Sequence, residues 1–417
     1  MKLQRPSLEG VQHAKLQLKE VCKETVLESN KRLSEMTGAF VFLKREDLQQ
    51  VRSFKIRGAY NKIASLTPQE RERGIVCASA GNHAQGFAFA CNHLKIRGRV
   101  YMPATAPQQK IAQVKMFGEG FVETILTGDT YDACQKVALE TAKKEGQTFI
   151  HAFDDVQVIE GQATIALEMI AQQTEGFDYV FVPVGGGGLV SGILTVFKAL
   201  SPKTKIIGVE PEGAQSMKLA LELNKRIPLK EMDRFVDGAA VRQVGALPFE
   251  ICKEFLDDLV HVPEGKICQA ILDLYNKEGI VAEPAGALAI AALDLVEYDL
   301  KNKHIGVLLC GGNNDILRMP EIKERALLYA NLKHYFIIDF PQRAGALKQF
   351  VNEVLGPEDD ITHFEFSKKS SKSVAPAVVG IELKSKDDLG FLVDRMKNHN
   401  FNFDYLNEKE NLFQFLK

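Results

Sequence analysis

From about residue 36 to 320, short β-branched and apolar runs alternate with segments of helical period. Residues 40–43, 74–79, 100–102, 122–126, 149–151, 179–184, 205–209 and 305–309 read as strands. Helical patterns follow several of them, at 86–94, 108–117, 130–145, 159–173 and from the end of a glycine run to Leu200. A βαβα order predicts parallel sheets covered by helices. Strands buried on both faces read as continuous apolar runs, and these do.

Near 320 the pattern changes. Met319-Pro320 predicts a stop to a helix entry, and 321–332 reads as a connecting helix. Strands are then expected at 335–340, 361–367, 377–383 and 411–415. Helices are expected from the turn at 341–347 to about 355, and at 387–399. That βαββαβ order is the split-βαβ, ferredoxin-like pattern. The expected organisation is an α/β catalytic domain over 1–320, with a small subdomain inserted at about 46–147. A linker helix at 321–332 leads to an α+β domain over 333–417.

The length of 417 residues suits two or three domains. Hydrophobic content of 45% and charged content of 25% are ordinary for a globular chain. The net charge is -2 and the basic residues are scattered, so no nucleic-acid footprint is present. The pairs Lys143-Lys144 and Lys368-Lys369 read as solvated surface. Seven cysteines, with no Cys-x-x-Cys and no zinc spacing, fit a reducing compartment. The start lacks an apolar leader core, and no apolar run is long enough to span a membrane. A cytoplasmic location is the expectation.

Three segments carry candidate chemistry. Lys55 lies in Ser53-Phe54-Lys55-Ile56-Arg57-Gly58-Ala59. An amine among apolar neighbours forms Schiff bases readily, and Arg57 is expected to help lower its pKa. Taken alone, Lys55 reads as a lysine on a helix surface, and only the surrounding pattern reverses that reading. Ser79-Ala80-Gly81-Asn82-His83-Ala84 joins a strand to a helix, where exposed N–H groups attract a carboxylate. The plainer reading is that Ser79 or Asn82 caps the helix, with His83 structural. Gly185-Gly186-Gly187-Gly188-Leu189 also joins a strand to a helix. Four glycines are costly unless the backbone must approach something closely, either a phosphate or a packed neighbour.

Two further features leave alternatives open. Cys310, after the last apolar strand, is either a group facing a cofactor ring or a small buried hydrophobe. Glu210 follows the glycine run at the distance of a ribose-binding acid, so an NAD-dependent oxidoreductase is a rival reading. Val190 breaks that fingerprint at its third glycine. Glu210 otherwise reads as a cap or a weak cation ligand.

Together, Ser53–Ala59, Ser79–Gly86, Gly185–Gly188 and Ala282-Glu283-Pro284-Ala285-Gly286-Ala287 resemble the fold type II pyridoxal 5'-phosphate family, tryptophan synthase β-like in fold. Within it they are similar to the threonine/serine dehydratases. The resemblance covers about 5–320, and Glu24-Thr25-Val26-Leu27 departs mildly from it, where Thr-Pro-Leu is frequent. The tail, at Phe340–Leu347, resembles the single ACT-like regulatory domain of the short biosynthetic threonine dehydratases.

The resemblance implies that Lys55 binds pyridoxal phosphate and moves the Cα proton. It implies that Phe54 packs on the cofactor, Asn82 bonds the ring oxygen, and Cys310 stands at the ring nitrogen, often a serine position. Gly185, Gly186, Gly187, Gly188 and the Leu189 amide would hold the phosphate. Ser79, Gly81, Asn82 and His83 would hold the substrate carboxylate, with no metal. L-threonine is the implied substrate, L-serine or a racemase reaction the alternative. Isoleucine and valine are the implied effectors, and a homotetramer the implied assembly.

Overall fold

The computed structural model describes residues 4–367 and 373–409. The expected strand at 411–415 and the Lys368-Lys369 pair lie outside the described residues. The chain divides into two compact units, Met1–Leu317 and Arg318–Lys417.

The strands of the first unit are β1 (Leu27–Ser29), β2 (Phe40–Arg45), β3 (Ile75–Ala78), β4 (Gly98–Met102), β5 (Val122–Leu126), β6 (Thr148–Phe149), β7 (Tyr179–Pro183), β8 (Lys205–Pro211), β9 (Asp258–Val262) and β10 (His304–Leu309). One sheet has the order β1-β2-β10-β7-β8-β9 and the other β5-β4-β3-β6. Every pairing is parallel except the edge pair of β1 with β2. The chain leaves the large sheet after β2, builds the small one, and returns at β7. The parallel sheets expected from the apolar runs are present, and β3 is buried along its whole length.

Periodicity alone does not mark every element. The helix Pro284–Ala291 is buried at every position, so it carries no polar stripe to reveal a 3.6-residue period. The helix Met319–Tyr329 corrects one expectation: Pro320 sits in its first turn and does not block it. A proline there forfeits no hydrogen bond, because first-turn N–H groups have no helical partner.

The second unit contains β11 (Lys333–Pro341), β12 (Asp360–Phe366), β13 (Val374–Glu382) and β14 (Phe403–Tyr405). They form an antiparallel sheet in the order β12-β13-β11-β14. The helices Ala346–Glu353 and Asp388–Asn398 contribute Phe350, Leu392 and Met396 to one core with Phe336, Ile338 and Phe340 of β11. This is the ferredoxin-like arrangement that the βαββαβ order predicts.

Packing in the first unit sets the positions of two helices that matter below. Helix Lys55–Ala64 and helix Gly188–Leu200 both pack against helix Val156–Gln172. The contacts are backbone to backbone. A Cβ on Gly161 would lie 2.6 Å from Arg57 O, and one on Gly192 would lie 2.8 Å from Ile159 O.

A buried ionic cluster ties two of these helices, Lys55–Ala64 and Val156–Gln172, to β2 and the turn after it. Arg57 forks onto Glu46, with Nε to Oε2 and Nη2 to Oε1 both at 2.8 Å. It also donates to Glu168 Oε1 at 2.5 Å and to Thr164 at 3.0 Å. Lys44 Nζ donates to Glu168 Oε2 at 2.6 Å and to Thr25 O at 2.7 Å. Lys44, Glu46, Arg57 and Glu168 are all buried.

Removing one member of such a cluster strands the others without water. Arg57→Met should lower the urea-unfolding free energy of the first unit by about 3–5 kcal/mol. Arg5→Met breaks only the exposed pair with Glu254 and should cost less than ~1 kcal/mol in the same experiment.

Candidate active site

The segments singled out in the sequence meet at the carboxyl ends of parallel strands, where open α/β sheets place their ligand clefts. β7 runs into Gly185–Gly188, β10 into Cys310 and β3 into Ser79. Residues 51–54 are laced to the loop after β10. Ser53 bridges Gly311, Phe54 N donates to Cys310 O at 3.1 Å, and Gly312 N donates to Arg52 O at 2.9 Å. The Lys55 helix therefore starts at the floor of a cleft.

That cleft is lined by Phe54, Lys55, Phe153, the glycine loop, Ala239 and Cys310. Lys55 Nζ donates to Ala152 O at 3.0 Å and lies 5.1 Å from the centroid of the Phe54 ring. Burial pushes its pKa down to about 8, against the opposing pull of Cys310 and Glu283. Arg57 does not share in this, contrary to expectation. Its guanidinium is committed to Glu46 and Glu168 in the ionic cluster.

The glycine loop opens helix Gly188–Leu200. Gly187, at φ 91°, is its N-cap, and no side chain caps it. Its first amides are thus left for another acceptor, and the helix dipole adds to their pull on an anion. Packing also demands glycine here. A Cβ on Gly186 would sit 2.4 Å from the Phe153 ring, and one on Gly188 would sit 2.9 Å from the Phe153 backbone. Of the two sequence readings of this loop, close packing is seen in these contacts, and the anion cradle rests on the uncapped amides.

The Asn82 loop behaves similarly. Helix Asn82–Leu94 has Gly81 as its N-cap and no capping side chain, so neither Ser79 nor Asn82 caps it. Ser79 Oγ instead accepts from Gly81 N at 3.1 Å. A Cβ on Gly81 would meet nothing within 4 Å, so the loop faces open space. His83 is buried, and its Nε2–H donates to Ile150 O at 3.0 Å. Burial and the Lys55 amine push its pKa down to about 3, so it offers no positive charge.

Asn82 is held on both sides. Its Nδ2 donates to Glu283 Oε1 at 2.5 Å, and its Oδ1 accepts from Asn313 Nδ2 at 2.7 Å. Cys310 is buried and its Sγ–H donates to Ala285 O at 3.3 Å. Burial raises the thiol well above its ordinary range, which keeps it protonated. Glu210 is not among the residues lining the cleft and accepts from Met217 N at 2.7 Å and Lys218 N at 3.0 Å. It is a helix cap, as one of the three sequence readings holds. Among the described residues, no group of three or more His, Cys, Asp or Glu is placed to hold a metal.

Sequence reasoning missed several contributors. Phe153, Ala152 and Ala239 line or face the cleft from loops without a recognisable motif. The run His151-Ala152-Phe153-Asp154-Asp155, standing just past the end of β6, is the signal that could have marked the first two; Ala239 had none. Glu283 was noted only within its motif. Its contact with Asn82 spans 201 positions of sequence.

A desolvated lysine opposite uncapped helix amides fits an aldehyde that carries a phosphate, and the residues present thus suit pyridoxal phosphate. The family model described as "Pyridoxal-phosphate dependent enzyme" matches residues 19–311. The chain is a pyridoxal-phosphate-dependent enzyme of the fold type II class. A second model, "C-terminal regulatory domain of Threonine dehydratase", matches 324–416.

The chain is 52% identical to the L-threonine dehydratase biosynthetic IlvA of Halalkalibacterium halodurans over 409 residues, covering 98% of this chain and 99% of the relative. It is 51% identical to the protein of that name from Bacillus subtilis, over 99% of both chains. The solved structure of processed threonine deaminase isoform 2 from Solanum lycopersicum superposes with a TM-score of 0.72 at 39% identity, covering 79% of this chain and 92% of that one. Maize serine racemase gives 0.72 at 27% identity, covering 78% and 99%. Within its class, the chain belongs to the family of the biosynthetic L-threonine dehydratases. This membership displaces the oxidoreductase reading.

The burial of Lys55 yields a measurable expectation. In competitive acetylation of the cofactor-free protein, Lys55 should reach half-maximal reactivity near pH 8, against ~10.4 for exposed lysines. A midpoint above pH 10 would mean that its amine is solvated.

Proposed function

We propose that the chain converts L-threonine to 2-oxobutanoate and ammonia, with pyridoxal 5'-phosphate bound at Lys55, as the committed step towards isoleucine. The desolvated Lys55 amine opposite the uncapped Gly188 helix carries this reading. Bound pyridoxal phosphate supplies an electron sink that acidifies the Cα proton of an amino acid.

The chain's own residues do the rest. Gly185, Gly186, Gly187, Gly188 and the Leu189 amide hold the phosphate. Phe54 packs against the ring, and Asn82 donates to the ring oxygen. The free Lys55 amine, its pKa lowered by burial to about 8, takes the Cα proton. Ser79, Gly81, Asn82 and His83 present the start of their helix to the substrate carboxylate. His83 does so through its backbone, since its imidazole is neutral and bonded to Ile150. The hydroxyl leaves Cβ as water, its proton balanced by the one taken from Cα. The released enamine shifts a proton from nitrogen to Cβ to become an imine, and one water hydrolyses the imine to the keto acid and ammonia.

Cys310 shapes the outcome. A protonated thiol at the ring nitrogen stabilises less charge there than a carboxylate would, so loss of the β-hydroxyl outruns reprotonation. L-serine is the alternative substrate, given the likeness to a serine racemase. Relative kcat/KM for threonine and serine decides between them.

The second unit is read as the regulatory part, inhibited by isoleucine with valine opposing. The family model of a regulatory domain over 324–416 supports this. A homotetramer and a cytoplasmic location complete the reading, the location supported by seven free cysteines. Among the described residues no helix is long and apolar enough to cross a membrane.

Borohydride reduction of the holoenzyme followed by peptide mass mapping should find the phosphopyridoxyl group on Lys55, and an unmodified Lys55 would refute the assignment. Cys310→Asp should raise racemised or transaminated products relative to 2-oxobutanoate, read by chromatography of the products. Truncation after Leu317 should retain threonine turnover while abolishing inhibition by isoleucine, measured as rate against effector concentration.

A further inference from the structure

Glu283 is a buried carboxyl group for which the reaction above has no use. It stands before helix Pro284–Ala291, on the large-sheet half of the first unit. Its Oε1 accepts from Asn82 Nδ2 at 2.5 Å, and Asn82 opens a helix of the small-sheet half. Asn313, following β10 of the large sheet, grips the other side of the same amide at 2.7 Å. Asn313 Nδ2 also donates to Val51 O at 2.9 Å, on the segment leading to Lys55.

The surroundings are built for this carboxyl. Glu283 N donates to Gly311 O at 3.2 Å. A Cβ on Gly311 would lie 2.2 Å from Glu283 Oε1, so any larger residue there would evict the carboxyl group. Glu283 forms no ion pair among the described residues. The charged and titratable groups that face it are Asp237, Lys110, Lys55 and Cys310. Lys110 and Asp237 pair with each other, again from the small half to the large.

We propose that Glu283 is a positioning residue: from across the two sheets it sets the direction in which Asn82 presents its amide to the cofactor, with Asn313 as the opposing grip. An amide clamped at both Nδ2 and Oδ1 cannot rotate, so its remaining N–H has one orientation. The inference rests on the reading of Asn82 as a cofactor ligand. Burial, with Asp237 acting in the same sense, pushes the Glu283 pKa up to about 7, opposed by the Asn82 amide and Lys110. The clamp therefore gains and loses a proton within the working pH range. Below that midpoint the carboxyl is neutral and its pull on Asn82 weakens.

The test compares Glu283→Ala, Glu283→Gln and Asn82→Ala in the full-length chain, with pyridoxal phosphate as the probe. Losing a gripping hydrogen bond should weaken pyridoxal phosphate binding about tenfold in Glu283→Ala. Glu283→Gln keeps an acceptor for Asn82, so its affinity should return to within about threefold of the parent. It cannot titrate, so a pH-dependent change in visible cofactor absorption centred near 7 should be present in the parent and absent in Glu283→Gln.

A folded Glu283→Ala protein with parental affinity would overturn the proposal, as would Glu283→Gln binding no better than Glu283→Ala. Should Glu283→Ala not fold, the glutamine variant decides: persistence of the midpoint near 7 refutes the role, and its loss supports it. Asn82→Ala separates the two layers. If it leaves affinity unchanged, the reading of Asn82 fails. If it weakens binding while Glu283→Ala does not, Glu283 alone is misassigned.

Discussion

Arg57 and its two carboxylate partners hold the start of the Lys55 helix against the rest of the first unit. Four charges buried together are costly to desolvate, and the cost is offset only because nearly every lone pair and proton has a partner. The cluster joins β2 and the turn after it to the Lys55 helix and to helix Val156–Gln172. A hydrophobic contact of similar size would tolerate sliding. Charge-assisted forks do not, because their geometry is directional. The lysine amine is thus delivered to a fixed point two residues before the anchor.

Helix Val156–Gln172 extends that constraint to the phosphate end. It meets the Lys55 helix at Gly161 and the Gly188 helix near Gly192, in both places backbone against backbone. Contacts of this kind leave no side chain to adjust, so the spacing between the amine and the helix amides follows from the thickness of one helix. The cleft is then closed by Phe153, which presses on the glycine loop from the segment after β6. Removal from water does the chemical tuning: the same burial lowers the Lys55 amine, keeps His83 neutral and keeps the Cys310 thiol protonated.

Much of this was legible in the order of residues. Most parallel strands announce themselves as apolar runs, although β9, with Asp258 and His261 in it, did not. The βαββαβ order announces the ferredoxin-like tail, although its last strand is Phe403–Tyr405. Lys55, the Asn82 loop and the glycine run are local motifs, since each occupies consecutive residues at a strand-to-helix turn. The role of Arg57 was not legible. Its nearness to Lys55 in sequence suggests an electrostatic neighbour, whereas the helix turns its side chain into the cluster with Glu46 and Glu168. The capping of the Met217 turn by Glu210 was one choice among three until Met217 N and Lys218 N were placed on its carboxylate.

What the chain by itself determined is the local grammar: which runs become strands, which strand-to-helix turns gather glycines, and which amine could meet a carbonyl. Those depend on residues within a few positions of each other. The tertiary structure alone decided the pairings over long separations, such as Asn82 with Glu283, Arg57 with Glu168 and Phe153 with the glycine loop. It also decided which groups lose their water, and hence their charge. Burial is a property of the whole packed unit, so no window of sequence contains it.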